Sequence, residues 1–286
     1  MIPDIQTKMI TLIGTPLGQS FASRMQNTGY KAAGLNMIYF YTEADNEHLG
    51  DIVNGLRYMN FAGFAVTKPN KVAVLQYLDE LDPLCEKMGA CNTVVKTSAG
   101  KLVGYNTDGV GFYTSLVKEG GVQADQSVFF CFGGGGAGRA ICSVLAYHGA
   151  RKIYITDAYE PCARSLVDDI NEKFAPAAEF VPYGDYSKLA ASDVVLNASG
   201  IGMGKTAGQS PMPKQYIQAS QLYFDACYNP ARTQFLLNAE EKGCRVLNGL
   251  GMSLYQGVAQ VELWSGKKAP VEAMRQELLN ILSEQK

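Results

Sequence analysis

Short apolar runs alternate along this chain with longer stretches whose apolar positions recur at helical spacing. That alternation predicts βαβ units and a mainly parallel sheet. Residues 9–14 read as a strand, and 23–33 as a helix stopped by Gly34. Residues 37–42 read as a strand, 47–59 carry Leu49, Ile52, Val53 and Leu56 at helical spacing, and 64–67 form the next strand. Pro69 suits the first turn of a helix with Val72, Leu75 and Leu78 on one face. Residues 91–96 and 101–105, joined by a turn at 98–100, predict a hairpin.

The character shifts near residue 108. A helix over 110–118 ends at Gly120 and Gly121, and 127–132 is a continuous apolar strand. A glycine cluster follows, then a helix closed by Gly149. Further strands are predicted at 152–156, 193–198, 222–225 and 245–247, and helices at 254–265 and 271–283. In the tail, Trp264 and the stripe Leu278, Leu279, Leu282 read as core. The division this suggests is a first domain over 1–108, a second over 109–251, and helices over 252–286 that rejoin the first.

Composition narrows the function classes. The chain has 286 residues, 47% of them apolar and 18% charged, which excludes a disordered chain. Net charge is −2 with no basic stripe, so nucleic acid is not an expected partner. No apolar run approaches the roughly 18 residues of a membrane span. The first residues lack a cationic start and a small-residue cleavage site, so no signal peptide is expected. Seven cysteines without a C-x-x-C pair suggest buried thiols in a reducing cytoplasm. No metal site is expected, because His48 and His148 show no ligand-like spacing to cysteines or carboxylates. A monomer or homodimer fits this composition equally well.

The run Gly133-Gly134-Gly135-Gly136-Ala137-Gly138 follows an apolar strand and opens a helix, with the spacing G-x-G-x-x-G. Gly133 permits the tight turn, Gly135 lets backbone approach a pyrophosphate, and Gly138 lets helix and strand pack closely. Gly136 and Ala137 begin the helix whose N–H groups and dipole favour a phosphate. The next strand ends in Asp157, placed to accept hydrogen bonds from the adenosine ribose hydroxyls. A 2′-phosphate there meets carboxylate repulsion, and Ala158 and Tyr159 supply no cation. The expected cofactor is therefore NAD, with NADP possible if Arg164 reaches back from the next helix.

Motifs outside that loop carry a resemblance. Gly14, Pro16, Ser20, Met25 and Asn27 match G-x-P-x-x-x-S-x-S-P-x-M-x-N. Val66-Thr67-Lys68-Pro69-Asn70-Lys71 is similar to V-[ST]-x-P-x-K, Gly89-Ala90-Cys91-Asn92-Thr93 to G-A-x-N-T, and Asn106-Thr107-Asp108-Gly109 to N-T-D-G. The segment from Asn197 to Met203 matches N-[AG]-[ST]-x-x-G-M, and Asp225, Tyr228 and Pro230 match D-x-x-Y-x-P. Gly249, Gly251, Met252 and Gln256 match G-x-G-M-L-x-x-Q. In this order and over most of the chain, the set resembles the shikimate/quinate dehydrogenase family, closer to its quinate/shikimate branch.

The resemblance implies an α/β fold: an N-terminal substrate-binding domain, a Rossmann-like dinucleotide domain, and an active site in the cleft between them. It implies reversible hydride transfer between NAD(P) and a ring hydroxyl of shikimate or quinate, a small hydroxy acid. Oxidising a secondary alcohol also removes a hydroxyl proton, and without a well-placed histidine a lysine or carboxylate must carry it. Lys71 and Asp108 match the family's catalytic pair: the lysine moves the proton and the aspartate holds lysine and substrate. Matching positions imply substrate contacts from Ser20, Thr67, Asn92, Asn106, Tyr228 and Gln256. They imply cofactor contacts from Ser199, Gly249 and Met252 beside the glycine loop.

The chain departs from the pattern at one point. The family's substrate segment has two serines for the acid's carboxylate. Ser20 matches the first, Ala22 occupies the second, and Ser23 stands at the following proline. A hydrogen bond to a charged group contributes about 1.5–3 kcal/mol, so its loss costs about ten- to hundred-fold in affinity unless Ser23 compensates. Two alternatives stay open: a dehydrogenase for a related polyol or amino-substituted ring acid, and a non-catalytic ligand or dinucleotide sensor. Retention of Lys71, Asp108 and the whole glycine loop argues against the sensor.

Overall fold

The computed structural model describes residues 3–18 and 20–284, so Gln19 of the first motif lies outside the described residues. The chain divides into two units, one running to Thr107 and resuming at Leu254, the other Asp108–Ser253.

In the first unit, β1 (Lys8–Gly14), α1 (Ala22–Ala32), β2 (Met37–Glu43), α2 (Leu49–Tyr58) and β3 (Phe61–Val66) are followed by a 3-10 turn at Ala73–Tyr77. Then come β4 (Glu80–Leu81), α3 (Pro83–Met88), β5 (Thr93–Lys96) and β6 (Leu102–Tyr105). The sheet order is β2-β1-β3-β5-β6-β4. β1 runs parallel to β2 and β3, and the β5–β6 hairpin is antiparallel, so β6 points the same way as β3. Strand β1 is buried along most of its length, so it reads as an apolar run and not as an alternation. Ile13, Phe64, Val66, Val74, Cys85, Val94 and their neighbours form the core on one side.

The second unit begins in α4 (Thr107–Lys118) and continues β7 (Val128–Phe132), α5 (Gly136–Tyr147), β8 (Lys152–Thr156), α6 (Glu160–Lys173) and β9 (Ala178–Phe180). β10 (Val194–Asn197), β11 (Leu222–Asp225), α7 (Gln234–Glu240) and β12 (Arg245–Asn248) complete its sheet, in the order β12-β11-β10-β7-β8-β9. Every pairing is parallel. The chain winds outward from β7 through β8 to β9, then returns to the other side of β7, as a Rossmann-like sheet does. The division between units falls inside α4 and inside α8 (Gly249–Ser265); α9 (Val271–Glu284) packs on α1. Among the described residues no helix is long and apolar enough to cross a membrane.

Three expectations need correction. The helix after Pro69 is only the 3-10 turn, and Val72 is 65% exposed. The Asn70 N–H closes a turn on the Thr67 carbonyl and its carboxamide donates to Ala44, which bends the chain before a helix can start. In α9 the buried face is Met274, Leu278 and Ile281, while Leu279 is exposed, since adjacent helical residues lie on different faces. His48 does have carboxylate neighbours: its ligand atom lies within 4.8 Å of those of Asp45 and Glu47, and all three residues are exposed.

Candidate active site

Three of the first unit's substrate candidates, Thr67, Asn92 and Asn106, lie at one end of its sheet. β1, β3 and β6 end there and β5 begins there. The Val66 N–H donates to the Asn92 carbonyl at 2.9 Å, and the Asn92 N–H to the Tyr105 carbonyl at 3.1 Å. Thr67 and Asn106 therefore follow the carboxyl ends of β3 and β6, where open α/β sheets bind ligands, and Asn92 precedes the amino end of β5 between them. The loops after β1 and β3 are laced together: the Thr67 N–H donates to the Ile13 carbonyl and the Thr15 N–H to the Lys68 carbonyl, each at 2.9 Å. Their approach requires a glycine, since a Cβ on Gly14 would fall 2.4 Å from the Thr67 methyl and 2.7 Å from the Lys68 carbonyl.

Lys71 follows the turn pinned by Asn70 and is half-buried. Its carbonyl accepts the Cys91 N–H at 2.8 Å, which ties the lysine's backbone to the residue before Asn92. Asn106 is buried and donates from Nδ2 to the Ala90 carbonyl at 2.8 Å. Asp108 starts the first turn of α4, immediately after Thr107, whose N–H donates to Asn92 Oδ1 at 2.7 Å. Gln256 lies half-buried on α8.

Ser20 and the first turn of α1 are clamped by a residue that motif reading passes over. The Tyr41 hydroxyl donates to the Ser20 carbonyl at 2.8 Å and accepts the Ser23 N–H at 3.1 Å. Ala22 opens α1. Ser23 lines a cavity of about 420 Å³ with Arg24, Asn27, Lys31, Met37 and Glu277, and none of the other substrate candidates lines it. Asn27, the motif's last residue, pairs with β2 instead: its Nδ2 donates to the Tyr39 carbonyl and its Oδ1 accepts the Tyr39 N–H, both at 2.8 Å.

The second unit carries the glycine loop. Gly133 has φ 106°, a region that favours glycine, and a Cβ there would lie 2.6 Å from the Ser199 nitrogen. A Cβ on Gly138 would fall 1.9 Å from the Gly133 carbonyl oxygen, so the helix start and strand end touch backbone to backbone. Gly135, Gly136 and Ala137 are exposed at the apex; added Cβ atoms on the two glycines meet nothing within 4 Å. No side chain caps the start of α5. This is a cradle that fits a diphosphate: open apex, uncapped helix N-terminus, and positive dipole end.

Asp157 accepts the Gly134 N–H at 2.7 Å and the Tyr159 N–H at 2.8 Å. Arg164 does not turn toward it: the guanidinium stacks 3.7 Å from the Phe180 ring centroid and reaches Glu160 at 3.4 Å. Ser199 spends its hydroxyl on Asn197 Oδ1 at 2.6 Å, leaving its backbone beside Gly133. Gly249 packs on the loop after β11, where a Cβ would sit 2.0 Å from the Ala226 carbonyl, and Met252 follows in the first turn of α8. Tyr228 lies on the same loop, and burial raises its phenol above the ordinary range, keeping it a donor.

That loop rests on a network the motifs only hint at. Asp225 is fully buried at the end of β11. It takes hydrogen bonds from Asn197 at 3.0 Å, Thr233 at 2.6 Å and the Cys227 N–H at 2.9 Å. Burial pushes its carboxyl above the usual range while these donors pull it down. An acid closing an apolar strand is the sequence signal for such a site, since a buried carboxylate needs partners.

Comparison with known proteins follows the same outline. The family description "Shikimate dehydrogenase substrate binding domain" matches residues 12–94, and "Shikimate 5'-dehydrogenase C-terminal domain" matches 249–279. The chain is 38% identical over 284 residues to a shikimate dehydrogenase (NADP(+)) of Desulforamulus reducens, covering 98% of this chain and 96% of that one. Its fold superimposes with a TM-score of 0.92 on shikimate 5-dehydrogenase from Listeria monocytogenes, solved in complex with shikimate and NAD. That match is 36% identical over 96% of this chain and 98% of the other. The 5-ketofructose reductase of Gluconobacter sp. gives a TM-score of 0.90 at 32% identity, covering 97% and 100%. The chain belongs to the shikimate dehydrogenase family.

Proposed function

We propose that this chain catalyses reversible hydride transfer between a nicotinamide dinucleotide and a ring hydroxyl of shikimate, with quinate as the related alternative acid. The observation that carries this reading is the joining of Lys71 to Asn92, through the Cys91–Lys71 backbone bond, at the sheet end that also holds Thr67 and Asn106. Short polar groups beside a lysine suit a polyhydroxylated ring that must lose one proton. Lys71 Nζ takes that proton in oxidation and returns it in reduction; Asp108 orients lysine and hydroxyl. Ser20, Thr67, Asn92, Asn106, Tyr228 and Gln256 supply the substrate contacts, and the glycine loop supplies the dinucleotide cradle. The bound nicotinamide is the hydride acceptor or donor.

The cofactor preference we propose is NAD. Asp157 is the acidic group nearest the expected ribose, and Arg164 is held on Phe180 and Glu160. Several relatives carry NADP(+) in their names, while the Listeria structure holds NAD. Ala22 favours a second reading, a ring or chain polyol that lacks the carboxylate, as in a reductase of 5-ketofructose. The test is absorbance at the reduced-nicotinamide band with shikimate, quinate and neutral polyols, each with both cofactors. Turnover of shikimate or quinate supports the proposal, and turnover of neutral polyols alone overturns it.

A further inference from the structure

The loop between β1 and α1, which carries Ser20, is held from β2 at both of its ends. At its start, Glu43 Oε1 accepts the Thr15 hydroxyl and the Leu17 N–H, each at 3.2 Å. Further along, the Ser20 N–H donates to the Leu17 carbonyl at 2.9 Å. At its end, the Tyr41 hydroxyl donates to the Ser20 carbonyl at 2.8 Å and accepts the Ser23 N–H at 3.1 Å. Tyr39, Tyr41 and Glu43 occupy alternate positions of β2, so they share one face of the strand. The Tyr41 ring meets Tyr39 edge to face, with centroids 6.4 Å apart, and Tyr39 is buried. The Asn27 carboxamide takes both backbone groups of Tyr39 at 2.8 Å, so α1 meets β2 at two successive turns.

A tyrosine hydroxyl has one proton, and Tyr41 gives it to a backbone carbonyl. None is left for a carboxylate, which only accepts. The Tyr41 oxygen meanwhile takes one of the N–H groups that a helix start leaves over, in a helix where Phe21 offers no side-chain cap. Tyr41 therefore acts on the backbone around Ser20. The Ser20 N–H belongs to the peptide before the residue, and its carbonyl to the peptide after it. Leu17 holds the first and Tyr41 the second, and two fixed flanking peptides set the direction of the Cα–Cβ bond. The Ser20 Oγ accepts the Ala22 N–H at 3.4 Å, and among the described residues its proton goes to no protein acceptor. A hydroxyl with its acceptor side in use and its proton unspent suits an acid's carboxylate.

We propose that Tyr41 is a positioning residue for the acid's carboxylate: it sets the Ser20 hydroxyl in place through the Ser20 carbonyl and the first turn of α1. This rests on the function proposed above, with Ser20 as a substrate contact.

The experiment compares Tyr41→Phe, Ser20→Ala and the double variant in the full chain, by steady-state kinetics on shikimate and quinate and by thermal denaturation. Ser20→Ala should raise the KM for the acid about ten- to hundred-fold, the worth of a hydrogen bond to a charged group. Tyr41→Phe keeps the ring on Tyr39 and removes only the hydroxyl. It should raise that KM by up to about ten-fold, a part of the Ser20 loss, because the contact is misplaced and not deleted. The kcat and the KM for NAD should stay near wild type, since the hydroxyl's partners are Ser20 and Ser23. The double variant should be no worse than Ser20→Ala alone, because Tyr41 acts through Ser20. A merely structural role would instead multiply with the Ser20 loss. Multiplied effects, or a wild-type KM for the acid in Tyr41→Phe, would overturn the proposal. So would a lower melting temperature accompanied by equal losses in kcat and in the KM for NAD, which would assign the hydroxyl to fold stability. Should the wild type turn over neither acid, the functional reading fails and this proposal falls with it. Turnover by the wild type with an unchanged KM in Tyr41→Phe sinks this proposal alone.

Discussion

Asp157 accepts the backbone N–H of Gly134 at 2.7 Å, tying the end of β8 to the glycine loop that follows β7. One carboxylate therefore shapes the cradle and also sets the charge beside the expected ribose. The two roles separate in mutants. Asp157→Asn keeps an acceptor for Gly134 and removes the charge; Asp157→Ala removes both. NAD should show the higher kcat/KM in the wild type. Asp157→Asn should narrow the gap to NADP with little loss on NAD, while Asp157→Ala should narrow it and raise the KM for both, by up to about ten- to hundred-fold for a lost charge-assisted bond. A wild-type preference for NADP, read from initial rates, would refute the assignment.

Two neighbouring glycines should behave oppositely. A Cβ on Gly138 meets the Gly133 carbonyl at 1.9 Å, and that carbonyl is backbone that cannot swing aside; a Cβ on Gly136 meets nothing within 4 Å. Gly138→Ala should destabilise the protein by about 1–3 kcal/mol, the usual cost of overpacking, and weaken dinucleotide binding. Gly136→Ala should leave the melting temperature near wild type. Thermal denaturation and NAD titration by fluorescence check both, and equal stability of the two variants would contradict the contact.

If Lys71 moves the proton, Lys71→Ala should lower kcat by about 10²–10⁴-fold, the usual share of general acid–base catalysis, with a smaller change in KM. Asp108→Ala should fall in the same range. The double variant should lose far less than the product of the two, because the residues act as a unit. Near-normal turnover in Lys71→Ala would remove it from the mechanism.

How much of this is legible in sequence depends on element length and on where partners lie. Long apolar strands such as β7 and β8, and helices punctuated by Gly34 or Gly149, read directly, because local chemistry sets them. Two-residue β4, three-residue β9 and the six-residue α3 do not, although α3 has an Asp82 cap, Pro83 at its start and Gly89 at φ 64°. Too few residues repeat for a period to show. The motif residues were legible as chemistry. Their supports were not, because Tyr41 and Asn70 act on partners far away in sequence. Asn27 shows the converse: a motif residue whose side chain pins α1 to β2.

The substrate question turns on Ala22. It opens α1 two residues after Ser20, and its N–H reaches Ser20 Oγ at 3.4 Å. Ser23, the other candidate for the missing hydroxyl, lines the cavity shared with Arg24, Asn27 and Glu277. Its backbone is held by Tyr41. If the protein grips a ring carboxylate at Ser20, Ala22→Ser adds a second charge-assisted bond. The KM for shikimate should then fall by about ten-fold, at 1.4 kcal/mol per decade, with kcat little changed. A change confined to KM marks a contact made equally in ground and transition states. Ser20→Ala should raise the same KM, and Ser23→Ala should leave it unchanged. The opposite pattern, no effect at Ala22 and a large one at Ser23, would mean that the hydroxyl is supplied from one residue along. A third pattern is decisive in another way. If none of the three changes moves the KM for shikimate while a neutral polyol is turned over faster, the pocket has no carboxylate grip at this segment. Ala22 would then mark a substrate without the acid group.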